Sequence, residues 1–322
     1  MLIETVELTL AHVGLGELRE VSLLALFATA QAHALVRGTT GTLHDVTDAN
    51  GAKLYPGYTW LKLRVPTSRT LSRFRVWDHV GIGVEVKRFG GLVLDSTYAL
   101  AAPGELTESA EAWDLDAMPS MRAMSMWVVD GNAGAPQPSS PRPGALAAIP
   151  SLKEAPDAMT RFRAMRAAGS MDRSPHRWAT QAPLRYPLHV GRDGAHGHNL
   201  MFATYIEIME IATERLLGEE IWPALPADLL ACRTVLEREV FFLDHAAVGA
   251  EILVDVRANL SPCASDLHGA ANDMVSGGIL DVVFELYEAG TNKLLTVARA
   301  RELFILPRSR ASLVSDVARF LP

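Results

Sequence analysis

The sequence predicts an α+β fold used twice: two antiparallel sheets, each wrapped around a long central helix. Three observations predict it. Each half carries one long apolar helix, "REVSLLALFATAQAHALVRG" from Arg19 and "NLMFATYIEIMEIATERLLG" from Asn199. Each helix is followed by long period-2 segments and not by βαβ alternation, which argues against a doubly wound parallel sheet. The halves also echo each other. "WDHVGIGVEVKRF" and "LDHAAVGAEILVD" both place Gly four residues after an Asp-His pair and Glu two later: Asp78, His79, Gly83, Glu85 against Asp244, His245, Gly249, Glu251. A second echo sets "ANGAKLY" at 49–55 against "AGTNKLL" at 289–295. Together the two echoes read as a duplication.

The bulk properties fit this plan. With 322 residues, 49% of them apolar, the chain can bury a large core. A net charge of −7 with no long run of either sign argues against a nucleic-acid surface. The start, "MLIETVELTL", has two Glu and no basic cluster, so it does not read as a secretory signal. No apolar run is long enough for a membrane-spanning helix. Cys232 and Cys263 form no C-x-x-C pattern, and a reduced, cytoplasmic protein is the expectation. The stretch "GNAGAPQPSSPRPGALAAIP" at 131–150 reads as a linker. A partly helical, irregular segment follows, so the expected units are 1–130, 131–180 and 181–322. A sheet wrapped around one buried helix is the hotdog architecture, here expected as a double hotdog.

The elements justify themselves in order. Helix one is apolar on most sides (Val21, Leu23, Leu24, Leu26, Phe27, Leu35), as only a buried helix tolerates, and stops near Gly38. "NGAKLYPGYTWLKLRVP" at 50–66 reads as a hairpin turn and then a strand interrupted by Pro56 and Gly57, residues that mark a bulge, an edge or a close approach. Regular alternation puts Tyr55, Gly57 and Thr59 on one face and Leu54, Tyr58 and Trp60 on the other. The counterpart of this strand in the second half is expected to be "GTNKLLTVARARELFILP". Helix two places Glu207, Glu210 and Glu214 at helical spacing on one face.

Four stretches could carry chemistry. "HVGLGELRE" enters helix one, where Gly14, Leu15 and Gly16 would let a ligand approach free helix N–H groups. The plainer reading is a Gly-rich helix entry. "HVGRDGAHGHNLMFATY" enters helix two with Asp193, His196, Gly197, His198 and Asn199. Asn199 serves as a cap in the plain reading. In the functional one, helix N–H groups with Gly197 and Asn199 face the thioester carbonyl, with Asp193 as base or water-positioner and His196 or His198 as acid/base. The histidine spacing is not that of a zinc-protease helix, so no metal is expected. The Asp78-His79 and Asp244-His245 pairs point to opposite strand faces and read as strand-start devices. Tyr55 and Tyr58 are either edge aromatics or a phenol facing a ligand.

The order of helix entry, buried helix, "DANGAKLYPGYTWLKLRV" hairpin, linker and second "DGAHGHNLMFATYIEIME" entry resembles the double-hotdog acyltransferase/decarboxylases of polyketide biosynthesis. The resemblance spans nearly the whole chain and rests on short motifs. It implies decarboxylation of a methylmalonyl-CoA-type thioester and transfer of the acyl group to an acyl carrier protein. It also implies an active-site tyrosine, Tyr55, with Tyr58 as the close alternative. CoA and phosphopantetheine thioesters would be substrates, and no cofactor is required, because helix N–H donors can stabilise an enolate. Nucleic acid and membrane are not expected partners, and the chain, already a pseudo-dimer, could pair further as a homodimer. The competing expectations are a hotdog thioesterase or dehydratase using Asp193 and His198, and a non-catalytic hotdog that binds thioesters or carrier proteins.

Overall fold

The computed structural model describes residues 1–14, 17–38, 46–130, 136–170, 176–189, 202–221, 233–246, 249–261 and 274–307. The first half contains β1 (Leu2–Glu7), a small ribbon of β2 (Val13–Gly14) and β3 (Glu17–Leu18), α1 (Glu20–Gly38), β4 (Tyr55–Arg64), β5 (His79–Phe89), β6 (Val93–Ala101) and β7 (Ser120–Asp130). A middle segment adds β8 (Pro136–Pro138), α2 (Asp157–Ala168) and β9 (Trp178–Ala179). The second half contains β10 (Leu184–Pro187), α3 (Phe202–Leu216) with a π turn at Leu217–Ile221, β11 (Arg233–Phe242), β12 (Glu251–Ser261), β13 (Met274–Glu288) and β14 (Lys293–Pro307).

The strand order is β1-β5-β6-β7-β4-β11-β14-β13-β12-β10, all antiparallel, with β8 beside β7 and β9 beside β12. The order is a palindrome of roles: β1, β4, β5, β6 and β7 correspond to β10, β11, β12, β13 and β14. The expectation of two separate sheets is therefore corrected to one continuous sheet. Its halves join where β4 pairs with β11, with Lys62 opposite Glu239 at the centre. Ladder hydrogen bonds across that seam remove two edges that separate sheets would leave unpaired.

The same order corrects the expected repeat. The counterpart of β4 is β11, "RTVLEREVFF", whereas "KLLTVARARELFILP" is β14, the counterpart of β7. The short Lys-Leu echo after a Gly/Asn turn reflects a shared turn chemistry: Gly51 (φ 82°) in one hairpin, Gly290 (φ 87°) and Asn292 (φ 57°) in the other. Glycine and asparagine supply left-handed turn positions wherever they occur, so this echo does not mark equivalent strands.

Helix α1 is not enclosed on all sides. Leu23, Leu24, Phe27, Ala30 and Leu35 are buried, while Ala25, Thr29 and His33, four residues apart, form an exposed stripe. Ala28, Ala32 and Ala34 beside that stripe make the helix look apolar on most sides in sequence. The buried faces of α1 and α3 share one core with the sheet, including Leu61, Leu63, Ile82, Val84, Ile208, Met209, Val254 and Phe284. The opposite face of the sheet near the seam is covered by α2. There Trp60, Met124 and Phe241 pack with Ala158 and Phe162, and Arg161 pairs with the buried Glu239.

The Asp-His pairs serve the connections before β5 and β12. Asp78 Oδ2 accepts the Arg75 N–H at 2.6 Å, and Asp244 Oδ1 accepts the His245 N–H at 2.8 Å and pairs with Lys293. Among the described residues, no helix is long and apolar enough to cross a membrane.

Candidate functional site

The hairpin before β4 is fixed by Asp48, whose Oδ1 accepts the Asn50 and Ala52 N–H groups, each at 2.9 Å. These N–H groups hold its carboxyl below the usual range. The strand then starts regularly: Tyr55 pairs with Val128, Pro56 with Trp127, Gly57 with Met126 and Tyr58 with Ser125. The irregularity comes later, between Tyr58 and Trp60, so the expected break at Pro56-Gly57 is corrected to Thr59. Thr59 is the extra residue, its hydroxyl donating to the Met124 carbonyl at 3.1 Å.

That bulge decides which phenol faces the helices. A regular strand would put Tyr58 and Leu61 on opposite faces. With one residue inserted, both face the core, and Trp60 turns to the α2 side, which corrects the expected sharing of a face by Tyr58 and Trp60. Tyr55 shares the outer register with Gly57, whose partner Met126 belongs to the α2 cluster.

On the core side, Tyr58 donates its hydroxyl proton to Gln31 Oε1 at 2.8 Å. The Tyr98 hydroxyl lies 3.2 Å away and, with the Tyr58 proton already committed, donates to Tyr58. Gln31 Nε2 donates to Ser96 Oγ at 3.0 Å and reaches Ser125 Oγ at 3.5 Å. One amide on α1 thus binds side chains from β4, β6 and β7. Burial pushes the Tyr58 phenol up to about 12, opposed by the hydrogen bond from Tyr98, and pushes Tyr98 well above the phenol range. Both phenols are therefore neutral donors at physiological pH and not phenolates.

The other half supplies the lid of this cluster. Phe202, the first described residue of α3, packs on Tyr58 with ring centroids 4.6 Å apart and planes tilted by 46°. The start of helix two thus meets the Tyr58 phenol across the seam. Helix starts carry unpaired N–H groups and a positive dipole end, both suited to a carbonyl oxygen gaining charge.

The start of α1 is different. Gly14 lies in the β2–β3 ribbon, and Glu20 opens the helix. Its carboxylate accepts Arg238 Nε at 2.7 Å and Nη2 at 3.0 Å. Arg238 also binds Glu210 and reaches Glu302 at 3.4 Å, while Arg233 binds Glu302 and, at 3.1 Å, Glu210. Arg238 is 0% and Glu302 2% exposed. An anion approaching this helix start would meet a carboxylate already in place.

Leu15, Gly16, Asp193, His196, Gly197, His198 and Asn199 lie outside the described residues. Of the other expected site residues, Tyr58 enters the cluster, while Tyr55 and Gly14 stand apart from it. Gln31, Ser96, Tyr98 and Ser125 were not anticipated. A signal for Gln31 existed: it is a polar residue one turn after Phe27 on an otherwise apolar helix stripe. The serines gave none, being small enough to pass as strand residues on either face.

By sequence, no known family and no curated protein matches the chain. Solved structures do match in shape. An acyl-ACP thioesterase from Bacteroides thetaiotaomicron aligns at TM-score 0.54 and 11% identity, covering 93% of this chain and 96% of that one. The chain has the hotdog fold. A protein described as an oleoyl thioesterase from Lactobacillus plantarum aligns at 0.57 and 12%, covering 95% and 96%. The 12:0-ACP thioesterase from Umbellularia californica aligns at 0.55 and 12%, covering 95% and 94%. The likeness runs through both halves of this hotdog chain, at identities that speak for the fold alone.

Proposed function

We propose that the chain hydrolyses an acyl thioester, of CoA or of an acyl carrier protein, at the Tyr58 cluster. The observation that carries this reading is the contact of Phe202 with Tyr58. It brings a helix start from one half against a set of neutral hydrogen-bond donors from the other. Water adds to the thioester carbonyl, the oxygen becomes an oxyanion, and collapse expels the thiol and leaves the free acid. Helix N–H groups and the Tyr58 hydroxyl, its proton turning from Gln31 Oε1 to the substrate oxygen, would stabilise that oxyanion, a donor there being worth about 3–4 kcal/mol. Asp193 or His198, in the segment leading into α3, would take the proton from water. The full-length likeness to structures described as thioesterases supports the same reading.

One observation favours a second reading, decarboxylation of a methylmalonyl-CoA-type thioester with acyl transfer to a carrier protein. Among the described residues, the Tyr58 hydroxyl bonds to an amide and a phenol. Loss of CO2 leaves an enolate that needs donors and no base. Incubating the purified protein with acetyl-, malonyl- and methylmalonyl-CoA, with and without a carrier protein, separates the two by mass spectrometry. Free acid with the carboxylate retained supports hydrolysis. Release of CO2 with acylated carrier supports the second reading and overturns the first. Absence of turnover on all of these and on longer acyl-CoAs up to lauroyl overturns both.

A further inference from the structure

With a thioester at Tyr58, an acyl chain continuing between α1 and its own sheet would meet side chains that cross this space just beyond the phenol. Gln31 joins α1 to three strands through Tyr58, Ser96 and Ser125. One turn earlier on the same helix face, Phe27 packs on Tyr98 with ring centroids 5.2 Å apart. Phe27 and Tyr98 are each 0% exposed. A chain entering from the start of α3 and passing Tyr58 would meet this barrier at its first carbons. To pass, it would have to break the Gln31 bonds and leave buried polar groups unpaired, which disfavours it.

From this barrier we infer that the acyl group is short, about two to four carbons. Phe27 and Gln31 set the limit from the helix side, and Tyr98 from the sheet side. The inference rests on the hydrolase reading for the position of the thioester, and adds the class of acyl group. The walls are hydroxyl and amide groups, so an oxygen substituent on a short acyl group is accommodated better than added methylenes.

The test is an acyl-length profile of the wild-type protein, which needs no variant to fold. Acetyl-, butyryl-, octanoyl- and lauroyl-CoA are compared by release of free thiol. The expected kcat/KM is highest for acetyl or butyryl and falls at least about tenfold by octanoyl. Phe27→Leu, a conservative change of volume, is expected to raise the octanoyl/butyryl ratio several-fold. Highest turnover of lauroyl-CoA by the wild type would overturn the inference and leave the hydrolase reading standing. An unchanged ratio in a folded Phe27→Leu variant would remove Phe27 from it. No turnover of any chain length would instead count against the hydrolase reading.

Discussion

The two halves place the same bulge at the same point and put opposite chemistry behind it. In β4 the extra residue is Thr59, three before the central Lys62; in β11 it is Leu236, three before the central Glu239. Tyr58 therefore corresponds to Val235, and Leu61 to Arg238. The ladder partners correspond too: Ser125 opposite Tyr58, Glu302 opposite Val235. Across the seam, Phe202 at the start of α3 meets Tyr58, and Glu20 at the start of α1 meets Arg238. One copy holds neutral donors around a half-buried phenol. The other holds two guanidinium groups and three carboxylates, closed by salt bridges. Duplication allows this division: one site can stay open to a ligand while the other becomes a fixed structural joint.

The largest effect should come from breaking the closed copy. Arg238→Met removes a fully buried cation, leaving Glu20 without its guanidinium partner and Glu210 with Arg233 alone. Removing one partner of a buried ion cluster costs about 3–5 kcal/mol. Urea unfolding should show that loss, while the kcat of the folded fraction stays within about twofold. A variant as stable as wild type but without turnover would mean that both copies take part in chemistry, and the division would be wrong.

The open copy should respond the other way. Tyr58→Phe removes one donor from the reacting oxygen, with an expected fall in kcat of about a hundredfold. Tyr55→Phe, on the outer register of the same strand, is expected to keep full turnover. Steady-state kinetics of the two variants decides between the phenols, and the reverse result would move the site to the other face of β4.

Much of the plan was legible before the structure. Helices at Glu20–Gly38 and Phe202–Leu216 and long strands after each are carried by periodicity, and the Asp-His spacing marks β5 and β12 as counterparts. The pairing order was not, because a turn motif such as Gly-Thr-Asn-Lys repeats wherever a hairpin needs a left-handed residue. The bulge at Thr59 was hidden as well. Pro56 and Gly57 are the usual punctuation, yet both sit in a regular stretch of ladder. The buried cluster was hidden by its composition. "EREV" in β11 alternates like a solvated strand, and only the approach of Glu20 from α1 and Glu210 from α3 shows that Arg238 points inward.

A smaller effect separates the copies by pH. Burial raises Glu20 to about 7, against the pull of Arg238, while its unfolded value is near 4.5. The folded protein therefore holds this proton more tightly than the unfolded chain. The stabilisation is present below about pH 4.5 and is lost as pH rises to about 7. Burial raises Glu302 in the same sense, whereas the two arginines hold Glu210 below its usual value, an opposite contribution. Glu20→Gln isolates one group, since glutamine mimics the protonated acid. Its stability relative to wild type should rise between pH 5 and pH 8 by on the order of 1–3 kcal/mol. A difference that is flat across this range would show that Glu20 is ionised throughout.

The smallest effect concerns Gly57, the residue that makes β4 look broken in sequence. Its φ is not positive, and an added Cβ would sit 3.4 Å from Val128 Cγ2, an ordinary contact. Nothing in the strand requires glycine there, and alanine reduces the freedom of the unfolded chain. Gly57→Ala should therefore be neutral or stabilising by about 0.5 kcal/mol, with turnover unchanged, as thermal unfolding and kinetics would show. The reason lies two residues on. It is the insertion of Thr59, and not the small residue before it, that turns Tyr58 toward Gln31. A Gly57→Ala variant that folds normally but loses turnover would place a ligand against the backbone at Gly57 and move the site to the α2 face of the sheet.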